Sequence, residues 1–81
     1  MSRSDAILQK MSEILTDYLR LAPGEVTRTS HVVNDLGADS LALVELGFKM
    51  TEAFEIGLIE PRDDLLVVGN LADHIAGLKQ G

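Results

Sequence analysis

No cysteine occurs in the 81 residues. The usual supports of very small folds, disulfides and thiolate zinc sites, are therefore excluded, and the composition fits a reducing cytosol. Stability has to come from packing, and a chain this short buries a small core with only a few kcal/mol of net stability. No apolar stretch approaches the roughly 18 residues of a membrane span, and Met1-Ser2-Arg3-Ser4-Asp5 runs into an amphipathic segment rather than the apolar centre of a signal peptide. A cytoplasmic chain without membrane insertion is expected. Strand alternation, internal repeats and low-complexity tracts are also missing, so the expected organisation is one all-α domain over residues 1–81, with no room for a second, catalytic domain.

Basic residues are scarce in one region only. Residues 1–34 carry four acids and four bases, and residues 65–81 carry one of each. Between Asp35 and Asp64 stand eight acids, Asp35, Asp39, Glu45, Glu52, Glu55, Glu60, Asp63 and Asp64, against Lys49 and Arg62. The net charge of -6 is thus concentrated in the middle of the chain. Such a field repels phosphate backbones and attracts basic protein surfaces, which excludes nucleic acid as an expected partner. The plain alternative is an acidic face that only aids solubility.

Ile7, Leu8, Met11, Ile14, Leu15, Tyr18 and Leu19 follow the i, i+3, i+4, i+7 rhythm of an amphipathic helix. Ser4 is its expected N-cap, Asp5 stands near the positive end of the dipole, and Ala22-Pro23-Gly24 is the expected stop. Residues 23–39 lack periodicity and read as a long loop, with Val26, Val32, Val33 and Leu36 available to pin it. Loops of that length are uncommon unless functional. A second helix is expected from Ser40, or one residue earlier, to about Glu55, with Gly57 as the stop signal. Glu60-Pro61-Arg62-Asp63-Asp64-Leu65 suits a short helical turn with proline first. A last helix is expected from about Asn70 to Lys79, burying Leu71, Ala72, Ile75 and Leu78, with Gly77 weakening it locally.

The second helix is apolar on two sides. At about 100° per residue, Leu43, Leu46, Met50 and Phe54 form one stripe, while Leu41, Val44 and Phe48 form another on nearly the opposite side. The longer stripe matches those of the other helices and is the core candidate. The shorter one begins beside Ser40, with Glu45, Glu52 and Glu55 close around it. An apolar strip with an acidic rim outlines a docking surface for basic partners. The competing arrangement buries both stripes, one of them under the long loop.

Ser40 stands in Asp35-Leu36-Gly37-Ala38-Asp39-Ser40-Leu41. On position alone it is a helix N-cap. A serine hydrolase is a weak rival: Ala38-Asp39-Ser40-Leu41-Ala42 does not match G-x-S-x-G, no strand-to-helix elbow is in view, and a short helical chain offers little room for an oxyanion hole. No catalytic residue is assigned. His31 reads as a loop side chain and His74 as an edge residue of the last helix, so no metal site is expected. Asp35 and Asp39 lack the further ligands and central glycine of an EF-hand. Ser2, Ser4, Ser12 and Ser30 lack the acidic, helix-opening context of Ser40, and Met11 and Met50 fill the core.

The heptapeptide and nearly the whole order of elements resemble discrete bacterial acyl carrier proteins, down to the acidic second helix ending in Glu52-Ala53-Phe54-Glu55. The resemblance implies a small bundle of three main helices plus one short third helix, with the long loop between the first two. It implies that Ser40 carries 4'-phosphopantetheine, placed there by a phosphopantetheinyl transferase, with Asp39 and Leu41 flanking the arm. It implies docking of acyl-ACP synthetase, ketosynthase or acyltransferase-type enzymes on Leu41, Val44, Glu45, Phe48 and Glu52. Fatty acid, lipid and polyketide synthesis all remain open as pathways. The protein would be a monomer and a carrier, its serine a substrate rather than a catalyst. Alternatives are a peptidyl or aminoacyl carrier, and a carrier-like interaction subunit that is never modified.

The chain departs from the family pattern in several places. Lys49 and Thr51 dilute the acidity of the second helix, and Phe48 stands where methionine is common, which points to a specialised set of partners. Leu58-Ile59-Glu60-Pro61-Arg62 replaces the usual entry to the third helix, and the segment is about one residue shorter. Val67 stands where Thr or Ser usually caps the last helix, a loss of roughly 1 kcal/mol unless Asn70 or another group takes over. The third helix is therefore expected to be short, shifted or mobile.

Overall fold

The computed structural model describes residues 3–22, 24–60 and 62–80. Three α-helices carry the fold: α1 (Arg3–Leu19), α2 (Ser40–Phe54) and α3 (Val68–Gln80), with a 3-10 turn at Asp63–Leu66 before α3. α1 packs mainly on α3 and also on α2, while the 3-10 turn packs on α3. No strand forms among the described residues, whose only extended pairing is an isolated antiparallel bridge between His31 and Val67.

The apolar spacing determines which faces meet. Ile7, Met11 and Leu15 bury the inner face of α1, and Leu46, Met50 and Phe54 that of α2. Met11, Leu15, Val68 and Ile75 are the largest side chains removed completely from water. Val32, Leu36 and Ala38 join the same core, so the long loop is packed down rather than suspended. In α3 the buried residues are Val68, Gly69, Ala72, Ile75 and Ala76, and Leu71 is half-buried. Leu78, expected in the core, is 50% exposed. Val68, Ala72, Ile75 and Ala76 share one face of α3, and at about 100° per residue Leu78 lies well to one side of its centre.

α1 ends before its expected stop and α2 ends near Glu55 as expected, and both are terminated in the same way. α1 stops at Leu19, where Arg20 takes φ 56° and the Leu21 N–H donates to Thr16 O. α2 stops at Phe54, where Glu55 takes φ 54° and the Ile56 N–H donates to Thr51 O. Both left-handed terminators are non-glycine residues, at a cost of about 1 kcal/mol each. The glycine signals at Gly24 and Gly57 therefore lie beyond the true ends, and Pro23 and Pro61 lie outside the described residues. At the other end of α1, Ser4 is inside the helix rather than its cap, and its hydroxyl donates to Asp73 on α3. Arg28 from the loop joins this corner, donating to Asp5 at 2.7 Å and to Ser4 Oγ at 3.1 Å.

The start of α3 shows how the missing Ser or Thr cap is replaced. The Val68 N–H donates to Ser30 O at 2.9 Å, and the Gly69 N–H donates to Arg28 O at 2.8 Å. In return the Val32 N–H donates to Leu66 O at 2.8 Å. Main-chain carbonyls of the long loop thus satisfy helix N–H groups that a cap would otherwise serve. Asn70, the expected substitute, instead donates its side-chain amide to Asp64 O at 3.0 Å and ties α3 to the 3-10 turn.

Candidate functional site

Ser40 is the first residue of α2, and the capping role falls to its neighbour. Asp39 is extended, with φ -95° and ψ -176°, and its Oδ1 accepts from the Ala42 N–H at 2.8 Å. The reading of Ser40 as cap is thereby corrected: a carboxylate one residue earlier already takes the orphan N–H, and the exposed Ser40 hydroxyl makes no hydrogen bond among the described residues. Upstream, a single helical turn over 31–37 fixes the approach of the chain. Asp35 Oδ2 accepts from the His31 N–H at 2.7 Å, and Gly37 reverses the chain at φ 80°, a conformation that favours glycine. Asp35 therefore belongs to the loop's own scaffold, and the carboxylate directly preceding Ser40 belongs to the helix start.

The shorter apolar stripe is on the surface. Leu41 is 68% exposed, and Val44 and Phe48 are 56% exposed each. The arrangement that buries both stripes is excluded for these three side chains. Glu45 and Glu52 are exposed on the same side. Glu45 is additionally held from α1, because the Tyr18 hydroxyl donates to Glu45 Oε2. That hydrogen bond, followed by partial desolvation and the charges of Glu45 and Asp39, raises the Tyr18 phenol above its ordinary pKa. The Lys49 ammonium lies 5.5 Å from the centre of the same ring. Sequence periodicity had placed Tyr18 only in the core stripe of α1. The signal for its second role was its polar tip at the last turn of an otherwise apolar face.

Behind α2, an apolar cavity of about 70 Å³ is bounded by Leu43, Leu46, Gly47 and Met50, with Ile59, Leu65, Leu66 and Leu71 closing the far side. Leu43 is half-buried there, as the long stripe requires. The 3-10 turn forms part of this wall and is tied to the loop through His31. The His31 Nδ1 accepts from the N–H groups of Val33 at 3.2 Å and Asn34 at 3.0 Å, which leaves Nε2 as donor to Asp63 Oδ1 at 3.2 Å. His31 thus organises the loop. His74 is half-buried on α3, and among the described residues no group of three or more His, Asp or Glu could hold a metal ion. No helix there is long and apolar enough to cross a membrane.

Comparison with known proteins agrees with this geometry. The family model described as the phosphopantetheine attachment site matches residues 9–75. An acyl carrier protein of Prochlorococcus marinus is 40% identical over 76 residues, covering 93% of this chain and 95% of that protein. An acyl carrier protein of Amoebophilus asiaticus is 39% identical over 70 residues, covering 85% of this chain and 88% of that protein. A third, from Campylobacter fetus, is 32% identical over 76 residues, or 93% of this chain and 99% of that protein. With its helix-opening serine, exposed apolar stripe and apolar cavity, the chain belongs to the acyl carrier protein family, the proteins built around a phosphopantetheine attachment site.

Proposed function

We propose that Ser40 is the attachment residue and that residues 1–81 act as one monomeric carrier domain in the cytoplasm. The protein is an acyl carrier and not an enzyme, and its cofactor is 4'-phosphopantetheine. The observation that carries the assignment to Ser40 is its exposed hydroxyl at the first position of a 15-residue helix, with the cap supplied by Asp39. The residues present fit the group. The positive end of α2 favours the negative charge of a phosphodiester, and the hydroxyl does not have to give up a structural bond to receive it.

When attached, the group supplies a terminal thiol for thioester chemistry that a cysteine-free chain cannot supply itself. The chain's own residues hold and present. Asp39 fixes the start of α2, and Leu41 offers apolar contact to the phosphopantetheinyl transferase. The cavity behind Leu43, Leu46 and Met50 shelters the acyl chain. Leu41, Val44 and Phe48, rimmed by Glu45 and Glu52, receive basic surfaces of enzymes of the acyl-ACP synthetase, ketosynthase or acyltransferase type, in fatty acid, lipid or polyketide synthesis. The 3-10 turn at Asp63–Leu66 takes the place of the short third helix in this four-part bundle.

Intact mass after incubation with coenzyme A, magnesium and a broad-specificity phosphopantetheinyl transferase tests the assignment. The expected result is one added phosphopantetheinyl group, absent in Ser40→Ala. An unmodified wild-type chain, under conditions that convert a control carrier, would overturn it in favour of an interaction subunit that acts through the apolar stripe alone. Loading of the modified protein by an amino-acid adenylating enzyme, with no loading by acyl-ACP synthetase, would move it to the aminoacyl carriers.

A further inference from the structure

Gly47 lies in the middle of α2, where glycine costs roughly 1 kcal/mol relative to alanine. Nothing in the packing requires it. Its φ is not left-handed, and a Cβ built there meets no atom within 4 Å. What Gly47 borders is the apolar cavity.

Its position relative to Ser40 gives the omission a meaning. Seven residues are nearly two turns, so Gly47 points within about 20° of the Ser40 direction and lies roughly 10 Å further along the axis. Thr51 continues the line, and its hydroxyl is turned onto its own helix, donating to Gly47 O at 2.9 Å. Leu43 flanks this lane on the cavity side, and Val44 and Phe48 flank it on the exposed side. The path down α2 from the attachment serine is therefore free of bulky side chains, and it opens into the cavity at Gly47.

The cavity itself is small. Its 70 Å³ is roughly half of the ~150 Å³ of an apolar cavity that takes up one benzene molecule. A medium-length aliphatic chain needs more room than that, and the unfilled volume over Gly47 adjoins the cavity.

Resting on the assignment of Ser40, we propose that Gly47 is a specificity-determining residue: the missing side chain is the portal by which an aliphatic acyl chain of medium length enters the cavity. Wild type, Gly47→Ala and Gly47→Val, each loaded with an octanoyl thioester and verified by intact mass, are compared with their unacylated holo forms by thermal melting and by the rate at which hydroxylamine cleaves the thioester. In wild type the octanoyl form is expected to melt above the holo form and to be protected from hydroxylamine. Gly47→Ala is expected to raise the melting temperature of the holo form through helix propensity while shrinking both octanoyl effects, and Gly47→Val to abolish them. A merely structural glycine would move stability alone. Unchanged protection in both variants overturns the portal. Equal melting and no protection in loaded wild type overturn the cavity as the acyl site, and the portal with it, while leaving Ser40 as the attachment residue. Failure of attachment in the mass spectrum overturns Ser40 itself and this proposal together.

Discussion

Helix α2 and the seam joining the long loop to α3 are ordered by different forces. In α2, side chains do the sorting: Leu46, Met50 and Phe54 are buried while Leu41, Val44 and Phe48 stay in water, although all six are apolar. In the seam, main chain does it: Ser30 and Arg28 carbonyls receive the first N–H groups of α3, and Val32 pairs back to Leu66. Order carried by side chains can be read from the identity and spacing of residues. Order carried by the backbone depends on which distant segments meet, and sequence spacing does not encode that.

The sharpest test of the α2 half uses its two phenylalanines. Phe54 is 5% exposed and Phe48 is 56% exposed on the same helix. Phe54→Ala removes a core ring and is expected to cost about 3 to 4 kcal/mol, a large fraction of the stability of so small a domain. Phe48→Glu is expected to change stability by no more than about 0.5 kcal/mol and to abolish productive docking. Urea unfolding followed by circular dichroism, together with partner turnover, reads both. Comparable stability losses, or turnover that survives Phe48→Glu, would remove the distinction between the two faces.

The seam has its own weak point. A Cβ on Gly69 would stand 2.8 Å from the Arg28 carbonyl oxygen and 3.0 Å from Arg28 Cβ. The first of these is backbone and is itself held by the Gly69 N–H, so it cannot swing aside. Gly69→Ala should force the loop off α3 at a cost of about 2 kcal/mol, despite alanine's better helix propensity. An unfolding midpoint equal to wild type or higher would mean that the loop does not cap α3 in solution.

These contrasts explain what was legible. The three helices, the core stripe of α2, the exposed stripe and Ser40 at a helix start all follow from apolar spacing and one short motif. The end of α2 near Glu55 follows as well, but the end of α1 does not, because Arg20 adopts a backbone conformation that residue type alone favours only in glycine. The start of α3 did not, because its capping groups are carbonyls from residues 28 and 30 rather than a side chain next door. Asp39 flanks Ser40 and also caps the helix, one position before the residue that the apolar pattern marks as the cap. Tyr18 was hidden because periodicity reports the buried part of a side chain and is silent about its polar tip.

Tyr18 also supplies the mildest way to sharpen the comparison, since it ties the exposed face of α2 to α1 by a side-chain bond. It is the protein's one tyrosine, so phenolate absorbance during an alkaline titration reports it alone. The hydrogen bond to Glu45 is the main cause raising its pKa, which favours the protonated phenol in the folded state. The bond's contribution is therefore fully present below the unfolded value of about 10 and is lost as pH rises through the higher folded midpoint. At neutral pH the Glu45 carboxylate is held. Glu45→Gln removes the negative charge and should bring the midpoint back toward that of an ordinary tyrosine. A wild-type midpoint that Glu45→Gln leaves unmoved would show Glu45 free of α1, and the proposed docking face would then be defined by α2 alone.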